Sequence, residues 1–389
     1  MKSQFRLKTL AVALSAVASA NAWALDPDYI RLGDSLMFTP TLKVTESYDD
    51  NIRASVADET SSWITTVTPT FQLGAEGSKG AYRLTYQAVA DTFHSSQSDN
   101  NTDHHLTGEA VLQFNSRNKL AVNAGYHRVE ETAALEADAV ENDRYTNTET
   151  GAVYTFGSDE ARTQIDFGAK YAELRYLSND VNEDKERDTT TLNAILYYKL
   201  TGKTRALGEI RHTNQDYLLD TYERSGDTLA YLLGLTWDAT AKTTGTFKIG
   251  REKKEFDASG VDSVSGGMME GSVAWQPRTY STLTLTVRQG FDEGDQRNAT
   301  SIDTQGYNLN WTHEWTELLK SDLYYAFSNR DYNGVAREDD LNSAGVNFTY
   351  SLRRWLDVGA GYRWSDNDSS LANQSYERNI YQMFVSASF

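Results

Sequence analysis

The chain has 389 residues, no cysteine, and 37 Lys and Arg against 55 Asp and Glu, for a formal net charge of −18 at pH 7. The missing cysteines exclude a disulfide scaffold and thiol chemistry, and the acidic balance excludes nucleic acid as a partner, because its phosphate backbone is itself anionic. No apolar run approaches the ~18 residues of a helical membrane span, yet 23 Tyr, 8 Trp, 14 Phe and only 4 Pro make a strand-forming composition.

In chain order, Lys2, Arg6 and Lys8 form a positive n-region and Thr9 to Ala20 a short apolar h-region. Ala20-Asn21-Ala22 and Ala22-Trp23-Ala24 are small-x-small cleavage sites. This predicts a secretory signal peptide over 1–22, with residue 24 as the other cleavage point, and then a short periplasmic segment, 23–34.

Gly33-Asp34-Ser35-Leu36 spells the nucleophile block of a class of esterases. A serine nucleophile needs a base, an orienter and an oxyanion hole on a rigid scaffold. That class is built on an α/β fold, and no helical period follows the leader here. The nearest Asp-x-x-His, Asp91 to His94, sits inside an alternating segment. Ser35 is therefore expected to start a strand whose outward face is Leu36, Phe38, Leu42 and Val44, and no enzyme is expected.

From there the hydrophobic period is two. Tyr82, Leu84, Tyr86, Ala88 and Ala90 alternate with Arg83, Thr85, Gln87 and Asp91; Leu192, Ala194, Leu196, Tyr198 and Leu200 alternate with Thr191, Asn193 and Lys199. Eighteen such segments start near residues 35, 61, 81, 104, 119, 145, 162, 188, 204, 225, 243, 265, 281, 301, 321, 340, 355 and 378. Gly and Thr dilute the pattern near 145, 204 and 243, which leaves sixteen strands as the alternative count. Each segment has roughly the ten residues that a tilted strand needs to cross a bilayer.

The connections alternate in length. Short ones include Glu76 to Gly80, Ser116 to Lys119 and Thr201 to Thr204; long polar ones include Glu131 to Arg144, Leu177 to Arg187, Phe291 to Thr300 and Ser365 to Glu377. Aromatics mark both strand ends. Phe114, Phe156, Tyr198, Trp237, Trp275, Trp315 and Tyr350 lie toward the short turns, and Tyr48, Trp63, Tyr126, Tyr171, Tyr307, Tyr362, Trp364 and Tyr381 toward the long loops. Two such rows suit the two membrane interfaces.

In lipid every backbone polar group must pair internally, and amphipathic strands achieve that only in a closed sheet. The sequence thus predicts an all-β fold: a transmembrane up-and-down antiparallel β-barrel over 35–389, with both termini periplasmic, in the outer membrane of a Gram-negative cell. The terminal Phe389, with alternating apolar residues behind it, resembles the signal read by the barrel-assembly machinery. Outer-membrane lipids and lipopolysaccharide are the expected surroundings, and a monomer is favoured.

The polar face would line the lumen. It carries Arg83, Lys170, Lys199, Arg211, Lys248, Arg288 and Arg363 against Glu109, Glu149, Asp166, Glu209, Glu270 and Asp357. These nearly cancel, so the lumen is expected to be a charge-balanced conduit stiffened by ion pairs. Tyr197 and Tyr324 are inward aromatics able to stack on sugar rings. Acidic residues crowd the long loops: Glu131, Glu136, Asp138, Glu141, Asp143; Asp180, Glu183, Asp184, Glu186; Asp292, Glu293 and Asp295. They make the protein soluble at its rim, repel polyanions or recruit divalent cations. Asp366, Asp368, Ser370 and Glu377 take positions 1, 3, 5 and 12 of a calcium loop, but Leu371 replaces the required Gly. The six His show no metal-ligand spacing. No metal and no cofactor are expected. No loop looks long enough to fold in as a deep constriction, so a fairly open pore is expected.

Glu46-Ser-Tyr-Asp-Asp-Asn-Ile52, with Tyr48, Asp50, Asn51 and Ile52, follows an early Thr39-Pro40-x-Leu42. It resembles the Tyr-x-Asp-Asn-Ile segment of a family of outer-membrane barrels whose genes often sit in exopolysaccharide biosynthesis operons. The resemblance implies a passive conduit that exports a polysaccharide with a periplasmic export component as partner. The alternatives are a diffusion porin taking up sugars or other small solutes, and a closed barrel with a surface or lipid-modifying role.

Overall fold

Alternation at period two sends successive side chains to opposite faces of a sheet, so every strand here has an apolar and a polar face. The computed structural model describes residues 29–389 apart from 34, 133–141, 178–179, 241 and 294–298. The leader and its cleavage sites lie outside the described residues.

The two-residue strand β1 (Ile30–Arg31) pairs with the start of β2 (Leu36–Asp49). Next come β3 (Ser62–Glu76), β4 (Gly80–Phe93), β5 (Asn101–Asn115), β6 (Asn118–Glu131), β7 (Asp143–Phe156) and β8 (Thr163–Tyr176). They are followed by β9 (Arg187–Thr201), β10 (Thr204–Tyr217), β11 (Gly226–Thr240), β12 (Thr243–Phe256), β13 (Val264–Arg278) and β14 (Ser281–Asp292). The last five are β15 (Ser301–Glu314), β16 (Leu319–Asn333), β17 (Glu338–Arg353), β18 (Leu356–Ser369) and β19 (Tyr376–Ser388). From β2 onward each strand pairs antiparallel with the next, and β19 pairs with β2, so eighteen strands close a barrel. The alternative of sixteen does not hold. Every expected strand start falls within three residues of an observed one.

Eight short turns join the strands at the end that also holds β1 and Phe389. Nine connections, most of them longer, lie at the other end. One expected connection needs correction. Ser365 to Glu377 is mostly strand, because β18 runs to Ser369 and β19 begins at Tyr376. Beyond the lipid band an outward face need not be apolar, so a protruding strand carries the composition of a loop. Asp366 stands opposite Glu377 on this ladder. Extended strands cannot wrap a cation as a calcium loop does.

The outward face is the apolar one. Leu233 is 71 % exposed and Met383 62 %, and Leu42, Val44, Phe71, Leu84, Phe167, Leu196 and Ile249 are exposed with them. Both aromatic rows stand on this face: Phe114, Phe156, Trp275 and Trp315 at the short-turn end, Trp63, Tyr126, Tyr307 and Tyr381 at the other. Among the described residues the buried apolar clusters have three members each, such as Ile52, Ile64 and Phe93. The sheet therefore encloses no soluble-type core. Its apolar surface is dressed for lipid, and an eighteen-strand ring leaves an aqueous interior.

Candidate functional site: the lumen wall and its mouth

Five cross-strand pairs flatten the inner wall. Asn123 lies over Gly151, Asn193 over Gly168 and Asn347 over Gly361, each directly opposite its glycine. Tyr324 covers Gly345 and Phe384 covers Gly359 in the same way. A Cβ at Gly168 would collide with the Asn193 Oδ1. Glycine is needed there so that the neighbouring side chain can lie along the wall instead of projecting into the lumen.

The expected lumen charges face inward, and most meet a partner. Arg83 pairs with Glu109, directly opposite, and Lys170 with Glu149, each at 2.7 Å. Arg211 grips Glu270 with two hydrogen bonds, 2.7 and 3.1 Å, and touches Glu209 at 2.8 Å. Lys248 reaches Glu209 at 2.9 Å and also bonds Glu270. These four residues from β10, β12 and β13 form one neutral network. Charge-assisted bonds of this kind satisfy groups that the wall partly desolvates. Two partners were not legible in the sequence: Glu160 in a short turn holds Lys199 at 3.0 Å, and Asp292 holds Arg288. Asp166 accepts from Gln164 at 3.4 Å and joins no ion pair among the described residues. Arg363 and Asp357 join none of these pairs, and among the described residues the buried Asp357 Oδ1 has no hydrogen-bond partner. Tyr197 and Tyr324 both face inward, but on β9 and β16 they do not come together.

Other inward groups escaped the sequence reading although their alternation was available. Lys43 sits over the Phe384 ring at 4.4 Å. His105 and His127 stand opposite each other on β5 and β6, with Nδ1 atoms 3.0 Å apart, while His104 points outward to Tyr86. Hydroxyls fill much of the remaining wall, with Thr191 beside Thr213 and Thr246 donating to Thr236.

The motif at the end of β2 builds the seam of the barrel. Asp49 takes a forked contact from Arg378 on β19 (2.9 and 3.1 Å from Nε). Asp50 accepts from the Asn379 backbone at 2.7 Å and from its side chain at 2.8 Å. Asn51 is fully buried; its Nδ2 donates to the carbonyls of Ser55 and Glu377, and its Oδ1 accepts from the Ser55 N–H. Ile52 packs with Ile64 and Phe93, and the Tyr48 ring lies 5.4 Å from Trp63. Asp50 and Asn51 thus bond across the seam to β19, while Tyr48 and Ile52 pack against β3 and its neighbour.

At the mouth, Glu293, the residue that follows β14, turns its side chain toward β10 and β12. Glu293 accepts from Tyr217 at the end of β10 and from Lys254 on β12, each at 2.7 Å, and Lys254 is completely buried. Arg224, 1 % exposed, packs on Tyr217 and contacts Asp184. Several of the acidic residues near the long connections have partners within the chain: Glu131 accepts from Tyr145, Asp143 from Asn182, and Glu186 from the Tyr176 N–H. Glu136, Asp138, Glu141 and Asp295 lie outside the described residues.

Ser35 stands just before β2 at the short-turn end. Asp91, which accepts from Thr66, and His94, which contacts Thr65, lie near the opposite end of β4 and point to different faces. A membrane's thickness separates them from Ser35.

Solved outer-membrane proteins share this architecture. OccK2 (OpdF) of Pseudomonas aeruginosa matches with a TM-score of 0.50 at 12 % identity, covering 90 % of this chain and 98 % of that one. OpdK of Pseudomonas aeruginosa, solved with vanillate, matches at 0.48 and 10 % identity, covering 90 % and 99 %. OccAB3 of Acinetobacter baumannii matches at 0.47 and 14 %, covering 90 % and 99 %. At such identities the likeness is one of fold alone. None of the curated proteins matches the chain. The family model described as putative beta-barrel porin 2 matches residues 25–389.

Proposed function

The chain belongs to the putative beta-barrel porin 2 family, and on that premise we propose that it is a passive diffusion channel admitting small polar solutes through the outer membrane. The observation that carries this reading is the Glu293 bridge to Tyr217 and Lys254. It gathers side chains from β10 and β12 and the end of β14 at one side of the mouth, an arrangement that suits a small solute better than a polymer chain. The flattened, charge-compensated wall supports the same reading, since a balanced lumen leaves no single ion strongly favoured. Asp50 and Asn51 of the family-like motif are engaged in the seam, so the motif lends no support to polysaccharide export. No catalytic step belongs to this proposal, and diffusion down a gradient needs no cofactor.

In the same reading the barrel is a monomer set in outer-membrane lipid and lipopolysaccharide, delivered by assembly machinery that reads Phe389. The test is liposome swelling with sugars of increasing size, paired with deletion of the gene. Uptake predicts swelling that falls off with solute size and slower growth on small oligosaccharides. Swelling that never occurs, or exopolysaccharide secretion that stops on deletion, would reject it.

A further inference from the structure

Beside the Glu293 bridge lies a cavity of about 460 Å³, between the inner faces of β9 and β10 and those of β14 to β16. Its volume falls within the roughly 300–1,000 Å³ typical of small-molecule sites. Two of its lining side chains are more than nine-tenths buried and unsatisfied: the Gln215 Oε1 and the Thr304 Oγ1 have no hydrogen-bond partner. A buried polar atom left in this condition costs stability unless something binds there.

The charges around the cavity are lopsided. Asp292 is taken by Arg288, and Glu293 by Lys254 and Tyr217. Arg187 donates only to the Lys185 carbonyl, at 3.1 Å, and rests over the Tyr217 ring. Arg330 stands directly opposite Thr304, and no carboxylate lies within ion-pairing distance of either arginine among the described residues. Two guanidiniums therefore face the cavity uncompensated, next to an acceptor that lacks a donor and a hydroxyl that lacks any partner. A guanidinium calls for an oxyanion. The Gln215 Oε1 calls for a hydroxyl.

We propose that this cavity is a solute-binding station for a polyhydroxylated carboxylate, a sugar acid, whose carboxylate meets Arg187 and Arg330 while its hydroxyls satisfy Gln215 and Thr304. The proposal rests on the diffusion-channel reading and names its solute class. A neutral sugar leaves the arginines bare, and a simple carboxylate leaves Gln215 without a donor.

The test uses the full mature chain in planar bilayers, with glucuronate, glucose and acetate as probes at equal concentration. Glucuronate is expected to interrupt the ionic current where glucose and acetate do not. Arg330→Gln is expected to raise the half-blocking concentration of glucuronate about tenfold, the loss of one charge-assisted bond. Thr304→Val is expected to raise it several-fold, and Thr304→Ser to keep it near the original value. Block by acetate as strong as by glucuronate would reduce the station to a plain anion site and overturn the proposal. Equal effects of glucose and glucuronate, or no block by any probe in a conducting channel, would overturn it as well. A chain that conducts no ions at all would instead reject the channel reading beneath it.

Discussion

Asn51 donates its side-chain amide to the carbonyl of Glu377, 3.1 Å away and 326 positions along the chain. That bond ties the first long connection to the last barrel strand. The seam it guards pairs nine residues of β2 with β19, whereas β2 pairs fourteen with β3. A shorter ladder leaves more of the closure to side chains.

The seam should therefore be sensitive to those side chains. Asn51→Ala strands several buried backbone groups and is expected to cost about 1–3 kcal/mol. Arg378→Ala leaves the buried Asp49 carboxylate unpaired and should cost more, about 3 kcal/mol or above. Urea unfolding in detergent micelles, followed by tryptophan fluorescence, measures both. Wild-type midpoints in both variants would mean that the seam does not depend on the motif.

The flattened wall makes a prediction about conductance. Gly168→Val should push Asn193 off the wall and lower single-channel conductance, because the added Cβ occupies the place of the amide oxygen. Combining it with Asn193→Ala should recover most of the loss. An unchanged conductance in the single variant would show that the lumen is not limited at this level.

Neutrality of the Arg211, Lys248, Glu209 and Glu270 network should be visible as charge selectivity. Glu270→Gln removes roughly one unit of negative wall charge and is expected to move the reversal potential in a salt gradient toward anion preference. The double variant Glu270→Gln with Lys248→Gln should move it back. A reversal potential that ignores both changes would place the network off the conduction path.

The lipid face can be tested at Leu233, midway along β11 and 71 % exposed. Leu233→Arg should destabilise folding into lipid vesicles by about 2–4 kcal/mol. Ser272→Arg, on the lumen side of β13, should cost far less, since that arginine meets water. Equal penalties at the two positions would contradict the assignment of faces.

Much of this architecture was already legible along the chain. The strands near 145, 204 and 243 stand where diluted alternation put them, and the inward parity of Arg83 and Glu109 was readable from Tyr82, Leu84 and Tyr86. The sequence reading faltered where composition stopped reporting on lipid. Asp366 to Glu377 resembles a loop because strands that rise above the membrane lose the need for an apolar side. Lys43, His127 and Arg330 share the parity of the residues singled out, but one-dimensional spacing offered no ground for preferring them.

Alternation is a local property, set by the two-residue repeat of extended backbone, so the primary structure alone determined the strand positions and their facing, while closure of the ring decided between eighteen strands and sixteen. Partnership is not local. Only closure of the ring decided that Asn51 would lock a seam, that Glu160 would hold Lys199, and that Arg187 and Arg330 would share a cavity with Gln215 and Thr304. Those meetings depend on register and curvature accumulated over many strands, and no segment read by itself contains that information.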